Sequence, residues 1–348
     1  MGGTVARAAA SRLRRPARRR GGARNPPKLG ELRPDRRCAI GTTDGVPLAV
    51  QEIDPTDGGK PELTVFLVHG LALSARSWCL QAAALAASTA PRVRVVLYDQ
   101  RGHGESGKGA PGSARISVLG KDLAVVLQAL APKGPLLLIG HSMGGMAIME
   151  LARTQPELFA SRIRGVGLIA TSAGELGAHG LPRPALSKYN PITKAISGIA
   201  RLQPELVEWV RNAGGGLTRY GVRKIAFGSG EVPASLVDFM VEMLASTPVS
   251  VLTTFIRTLG AHSRHAALAA LVPSQVLVLA GDADALTPPQ HSERIAAEVP
   301  GAQLLMLAGA GHMVILERPQ QVNEALGALL HRCSKHGTTI DREGRRGA

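Results

Sequence analysis

Leu136-Leu137-Leu138-Ile139-Gly140-His141-Ser142-Met143-Gly144-Gly145 is the stretch that decides how this chain is read. Four consecutive aliphatic residues fit a strand buried on both faces. Gly-x-Ser-x-Gly follows at once, and Ala147 to Arg153 then reads as a helix. A serine placed between such a strand and such a helix occupies the apex of a sharp turn, with its hydroxyl pointing out of the sheet. A Cβ on the flanking residues would clash there, which accounts for Gly140 and Gly144. In a chain of 41 glycines the motif also arises by chance, so the reading depends on its partners.

An activated serine needs a base, and the base needs an acid to orient it. Downstream, the apolar run Val276–Ala280 leads into Gly281-Asp282-Ala283-Asp284-Ala285-Leu286-Thr287-Pro288. A third run, Gln303–Leu307, leads into Gly309-Ala310-Gly311-His312-Met313. Serine, acid and histidine therefore each follow a strand-like run, in the order Ser, Asp, His.

With these three motifs the chain resembles the α/β-hydrolase superfamily, in its capped esterase, lipase and haloperoxidase-like branch. The resemblance covers about residues 40 to 332 and implies a mostly parallel central sheet flanked by helices, with a helical cap. It also implies Ser142 as nucleophile and His312 as base. The family pattern Gly-x-x-Asp places the acid at Asp284, with Asp282 as a loop-capping or solvated carboxylate. His69-Gly70, after the strand-like Leu63–Val68, resembles the family's oxyanion loop. The backbone N–H groups of Leu71 and Met143 are then the expected oxyanion donors, and His69 itself is expected to shape the loop. Asp99-Gln-Arg101-Gly102-His103-Gly104, after Val93–Tyr98, resembles a structural loop of the same family, pinned by Asp99 and Arg101. No Gly-x-x-x-x-Gly-Lys-Ser/Thr is present to support a phosphate-binding reading of its glycines.

A serine at position 142 excludes the alkyl-enzyme chemistry that members with an aspartate nucleophile perform. The expected reaction is acyl transfer, with carboxylic esters as substrates, medium-chain or monoacylglycerol-like. The same three residues also support haloperoxidase-like perhydrolysis, thioester cleavage or C–C hydrolysis, and a ligand-binding signalling protein with slow turnover is a further alternative. No cofactor is expected. The ten histidines are scattered without metal-ligand spacing.

Between about Gly174 and Arg264 the alternation of strands and helices breaks. Helices are expected at Pro191–Leu202, Pro204–Ala213, Ala234–Ser246 and Val249–Leu259, which together would form the cap. Six of the ten aromatic residues fall here: Tyr189, Trp209, Tyr220, Phe227, Phe239 and Phe255. As a group they point to an apolar acyl pocket between cap and core, with Trp78 and Trp209 as candidate substrate contacts.

The net charge of +15 is unevenly placed. Residues 1–37 carry twelve Arg or Lys against two acids. They are expected to form a disordered basic arm, suited to loose attachment to an anionic membrane or nucleic acid. Residues 333–348 are expected to form a flexible tail. Two core segments, 38–173 and 265–332, would flank the cap. No apolar run reaches the roughly 18 residues of a spanning helix. Three cysteines, Cys38, Cys79 and Cys333, require no disulfide. A cytoplasmic location, peripheral to the membrane where the arm attaches, is the expectation. The expected partner is an apolar acyl substrate, and no protein partner is evident.

Overall fold

The computed structural model describes residues 13–14, 28–110, 112–177 and 215–344. Among the described residues nine strands form one sheet: β1 (Leu13–Arg14), β2 (Arg36–Gly41), β3 (Pro47–Ile53), β4 (Leu63–Val68), β5 (Val93–Tyr98), β6 (Leu136–His141), β7 (Ile163–Ile169), β8 (Gln275–Gly281) and β9 (Gln303–Leu307). Their order across the sheet is β1-β2-β3-β5-β4-β6-β7-β8-β9. The first three strands are antiparallel neighbours, and β3 pairs antiparallel with β5. All remaining pairs are parallel.

The period-2 geometry of a strand sends alternate side chains to opposite faces. Phe66 and Val68 of β4 and Leu136 and Leu138 of β6 join one core cluster. Val65, Leu67, Leu137 and Ile139 join the other. Both faces are dry, so these strands read as unbroken apolar runs rather than as alternation.

The helices α1 (Cys79–Ala86), α2 (Ile116–Leu130), α3 (Met143–Thr154) and α4 (Pro156–Ser161) precede β7. After β7 come α5 (Gly215–Ala226), α6 (Ala234–Ser246) and α7 (Val249–Leu259). The last three are α8 (Pro289–Glu298), α9 (Val314–Glu317) and α10 (Pro319–Gly344). Side chains of α2, α3 and α8 cover one face of the sheet. Those of α1, α9 and α10 cover the other. On that second face β7 offers glycine at position 165, where a Cβ would run into the Cys333 sulfur of α10.

The described part of the segment between β7 and β8 holds three α-helices joined by loops. α6 and α7 have the bounds expected from the sequence, whereas α5 was not anticipated. Glycines at 215, 216 and 221 obscure the helical pattern of α5. The two helices expected between Pro191 and Ala213, together with Tyr189 and Trp209, lie outside the described residues. Phe227 and Phe239 are buried in one core cluster and Phe255 in the other, while Tyr220 is exposed. These three phenylalanines attach the insertion to the sheet domain.

Both chain ends differ from expectation. Residues 28–37, assigned to the disordered arm, belong in the described part to the folded body. Leu29 and Leu32 pack on the core, and the Gly30 N–H donates to the Cys79 sulfur at 3.1 Å. Arg36 opens β2, where its guanidinium bonds Glu52 and Asp54. The physical reason is that two leucines among the charges suffice to anchor the segment. At the other end, α10 continues to Gly344 instead of yielding to a tail at Cys333, and Cys333 itself is buried.

Candidate active site

Three loops meet at the carboxyl ends of the central strands, where open α/β sheets place their ligand sites. The first is the turn from β6 into α3. Ser142 has φ 53° and ψ −120°, a conformation that residues with a Cβ rarely adopt. Such strain costs on the order of 1–3 kcal/mol and persists only where its surroundings over-determine it. Here the Ser142 N–H donates to the Ile169 carbonyl (2.9 Å), while its own carbonyl accepts from Gly145 N–H (2.9 Å) and the Thr171 hydroxyl (2.7 Å). A Cβ on Gly140 would lie 2.5 Å from the Gly145 nitrogen, and one on Gly144 would strike the Val68 carbonyl. Ser142 is half-buried while its neighbours from Leu136 to Ala152 are buried. As the first residue of α3, Met143 has an N–H with no acceptor inside its helix.

The second loop follows β4. A Cβ on Gly70 would come within 3.0 Å of the Ser142 Cβ, so this loop lies directly against the serine. Ala72 turns it with φ 62°. His69 is buried and holds the loop in place. Gln100 N–H donates to its Nε2 (2.9 Å), which leaves the Nδ1–H to donate to the Gly70 carbonyl (2.7 Å). Burial lowers the His69 pKa to about 4, so the ring is neutral. Asp99 ties down the far side of the loop by accepting from Ala75 N–H (2.7 Å) and Glu105 N–H (2.8 Å). Arg101 forks onto Asp122 and also onto Asp44.

The third group comes from the loops after β8 and β9. His312 Nδ1 and Asp284 Oδ2 are 2.8 Å apart. An ionised carboxylate only accepts, so Nδ1 carries the proton and Nε2 keeps its lone pair. Asp284 is buried, and its Oδ1 accepts Leu286 N–H (2.8 Å) and Thr287 N–H (2.9 Å). The Thr287 hydroxyl adds a bond to Oδ2 at 2.8 Å. Burial works against the ionised carboxyl. The His312 ring and the Thr287 donors outweigh it, and the pKa lies below the usual aspartate value. The neighbouring Asp282 instead accepts Gly309 N–H at 2.7 Å and caps the loop.

His141, next to the serine, joins the first and third groups. Its Nε2–H donates to the His312 carbonyl (2.8 Å), and the two rings lie 4.9 Å apart. Burial holds its pKa down to about 3. The structure thus brings Ser142, Asp284 and His312 to one end of the sheet, with Leu71 and Met143 in the loops beside Ser142. Trp78 does not fit its expected role as a substrate contact. It is completely buried and packs edge-on to His141, with ring centroids 6.4 Å apart, so it supports the site from inside the core. Trp209 lies outside the described residues.

Three supporting residues were not singled out from the sequence: Thr171, Thr287 and Glu317. For Thr287 a signal existed, because Asp-x-x-Thr followed by proline is a loop in which the aspartate caps its own backbone. Thr171 and Glu317 act across 29 and 89 residues of sequence and carry no local signature. Among the described residues no group of His, Cys, Asp and Glu could hold a metal ion.

A family model described as the alpha/beta hydrolase family matches residues 65–325. The chain is 26% identical over 302 residues to a Caulobacter vibrioides protein named as the carbamate hydrolase RutD, covering 85% of this chain and 98% of that one. It is 28% identical over 282 residues to the dihydrolipoyllysine-residue acetyltransferase component of the acetoin cleaving system of Pseudomonas putida, covering 79% of this chain but only 65% of that longer protein. A thermophilic esterase from Thermogutta terrifontis superposes with a TM-score of 0.66 at 26% identity, covering 86% of this chain and 99% of the esterase.

Proposed function

The chain belongs to the alpha/beta hydrolase family, and on that premise we propose that it is a serine hydrolase that cleaves carboxylic esters through an acyl-enzyme on Ser142. One observation carries the reading. The Nδ1–H of His312 is held by the buried Asp284 carboxylate, beside a serine raised on a strained turn.

The chemistry follows from that arrangement. His312 Nε2 takes the hydroxyl proton as Ser142 Oγ bonds to the ester carbonyl carbon. The N–H groups of Leu71 and Met143 receive the oxyanion, and such donors contribute about 3 kcal/mol each to the transition state. The tetrahedral intermediate collapses, the C–O bond to the alcohol breaks, and His312 hands its proton to the departing oxygen. Water then attacks the acyl-enzyme with His312 again acting as base, releasing the acid and restoring Ser142. Asp284 keeps the imidazole in one tautomer and stabilises its charged form throughout. No cofactor takes part in this scheme.

The insertion containing α5, α6 and α7 serves as the cap in this reading. The half-buried Leu71 beside Ser142 favours an apolar acyl group, which we take to be of medium length; the three phenylalanines of the insertion are used in packing it to the core. The likeness to the protein named as a carbamate hydrolase supports a second substrate class, carbamates, in which the same attack displaces a group from a carbonyl bearing nitrogen.

Fluorophosphonate labelling, p-nitrophenyl esters of increasing chain length and an aryl carbamate, each beside Ser142→Ala, test the proposal. Labelling and steady ester turnover should both vanish in the variant. An optimum between C6 and C12 is expected, and a preference for short polar acyl groups would remove the apolar-pocket assignment. Faster carbamate than ester cleavage would move the substrate class. Labelling without turnover would favour a ligand-binding protein.

A further inference from the structure

Glu317, the last residue of the short helix α9, holds two separate parts of the molecule on one carboxylate. Its Oε1 accepts the Gly311 N–H at 2.9 Å, and its Oε2 accepts the Gly228 N–H at 2.9 Å. Gly311 immediately precedes His312. Gly228 follows α5 and belongs to the insertion. The two backbones are in direct contact. A Cβ on Gly311 would collide with Phe227 and Gly228, and one on Gly228 would collide with Gly309 and Ala310. On the other side of His312, the Met313 N–H donates to the Ala226 carbonyl at 2.8 Å. The loop that carries His312 is therefore attached to the insertion on both flanks of the histidine, once directly and once through Glu317.

We propose that Glu317 is a positioning residue for His312, and that through it the insertion helps set the orientation of the base. The proposal rests on His312 being the base. Deleting either N–H bond frees Gly311 or Gly228 to move, and both are glycines with no side chain to restrain them. The Arg223 guanidinium fixes the other side of the same turn, bonding the Gly228 carbonyl at 2.7 Å and the Gly230 carbonyl at 2.5 Å. The carboxylate is held there against its own preference. Burial raises its pKa despite the two N–H donors and the nearby charges of Arg318 and Arg223. The two N–H bonds it accepts, one from each side, are the geometric reason for a carboxyl at this position.

Glu317→Gln is the informative variant, because the side chain keeps its shape. The amide oxygen can still accept one N–H, but the NH2 opposes the other, donor against donor. A misplaced base typically costs between about 10- and 100-fold in rate. The expected result is a loss of that size in kcat and in the rate of fluorophosphonate labelling, with KM changed less than threefold. In proton NMR, the low-field signal of the Asp284-bonded Nδ1–H, identified by its loss in His312→Ala, should shift or broaden. Hydrogen exchange at Gly228 and Gly311 should quicken together. Melting is followed in parallel, and if Glu317→Gln does not fold, Glu317→Asp, one methylene too short to span both N–H groups, is read in the same way. A folded variant with unchanged kcat, labelling and low-field signal would overturn the inference. Failure of the underlying reading looks different: His312→Ala would then retain wild-type activity.

Discussion

The turn that presents Ser142 and the loop that presents His312 are built on opposite plans. Around Ser142 the backbone itself is the device. Glycines at 140 and 144 admit the close approach, and β6 and α3 on either side enforce the positive φ. Around His312 the backbone is packed close at Gly311, but most of the fixing is done by side chains: Asp284 with Thr287 behind it, Glu317 and His141. The nucleophile is thus placed by local geometry and the base by a network. A network can be loosened one bond at a time, whereas a strained turn either forms or does not.

Four experiments probe that contrast, beginning with the largest effect. Asp284→Asn should cut kcat by about 10⁴-fold, because an amide can present its NH2 to Nδ1 and select the wrong tautomer. Asp282→Asn, two residues away, retains an oxygen to accept Gly309 N–H and should stay within about twofold of wild type, the usual range for a surface change. Equal losses from both would abolish the distinction between them. In second place, Gly144→Ala forces a methyl onto the Val68 carbonyl and should destabilise the fold by more than about 4 kcal/mol, or prevent soluble expression. Chemical denaturation measures it, and a cost below about 1 kcal/mol would mean that the turn is adaptable after all.

Third, Thr287→Val removes one donor from the Asp284 carboxylate while leaving the backbone bonds. A drop of about tenfold in kcat/KM is expected, the equivalent of one hydrogen bond to a charged group. No change would show that the backbone N–H groups alone orient the acid.

The fourth test reads stability against pH. Burial depresses the pKa of His69 to about 4, of His103 to about 3, of His141 to about 3 and of His262 to about 4. Between those values and the unfolded value of about 6.5, the unfolded chain binds more protons than the folded one. Stability should therefore be intact above about pH 6.5 and fall on acidification toward pH 4, by up to about 1.4 kcal/mol per pH unit for each ring. His69→Gln should flatten the dependence of the urea midpoint on pH over that window. An unchanged slope would show that His69 is charged in the folded state.

How much was legible follows the same division. Leu63–Val68 and Val93–Tyr98 read as strands with the bounds they have, because burial on both faces leaves a nearly continuous apolar run, and Gln303–Leu307 reads likewise although it is the edge strand, with Gln303 and Leu304 exposed. Ala234–Ser246 and Val249–Leu259 read as helices with the bounds they have, the first with Pro233 marking its start. Helix α5 did not, since its glycines and exposed Leu217 and Tyr220 break the apolar stripe. Trp78 was misplaced because the sequence shows that an aromatic lies near a loop, but not which side of the loop it faces. Residues 28–37 were read as disordered from their charge, although Leu29 and Leu32 find the core.

By itself the sequence determined the strands that carry the three candidate residues, the serine turn and the chemical types of those residues, because each depends on neighbours within a few positions. The family resemblance pointed to Asp284 over Asp282, and the tertiary structure sets the Asp284 carboxylate 2.8 Å from His312 Nδ1. Only the tertiary structure decided that Trp78 faces inward, and that Glu317 joins the insertion to the His312 loop. Those outcomes rest on contacts between segments tens of residues apart, where pairing is chosen by the packing of the whole sheet and leaves no periodicity to read.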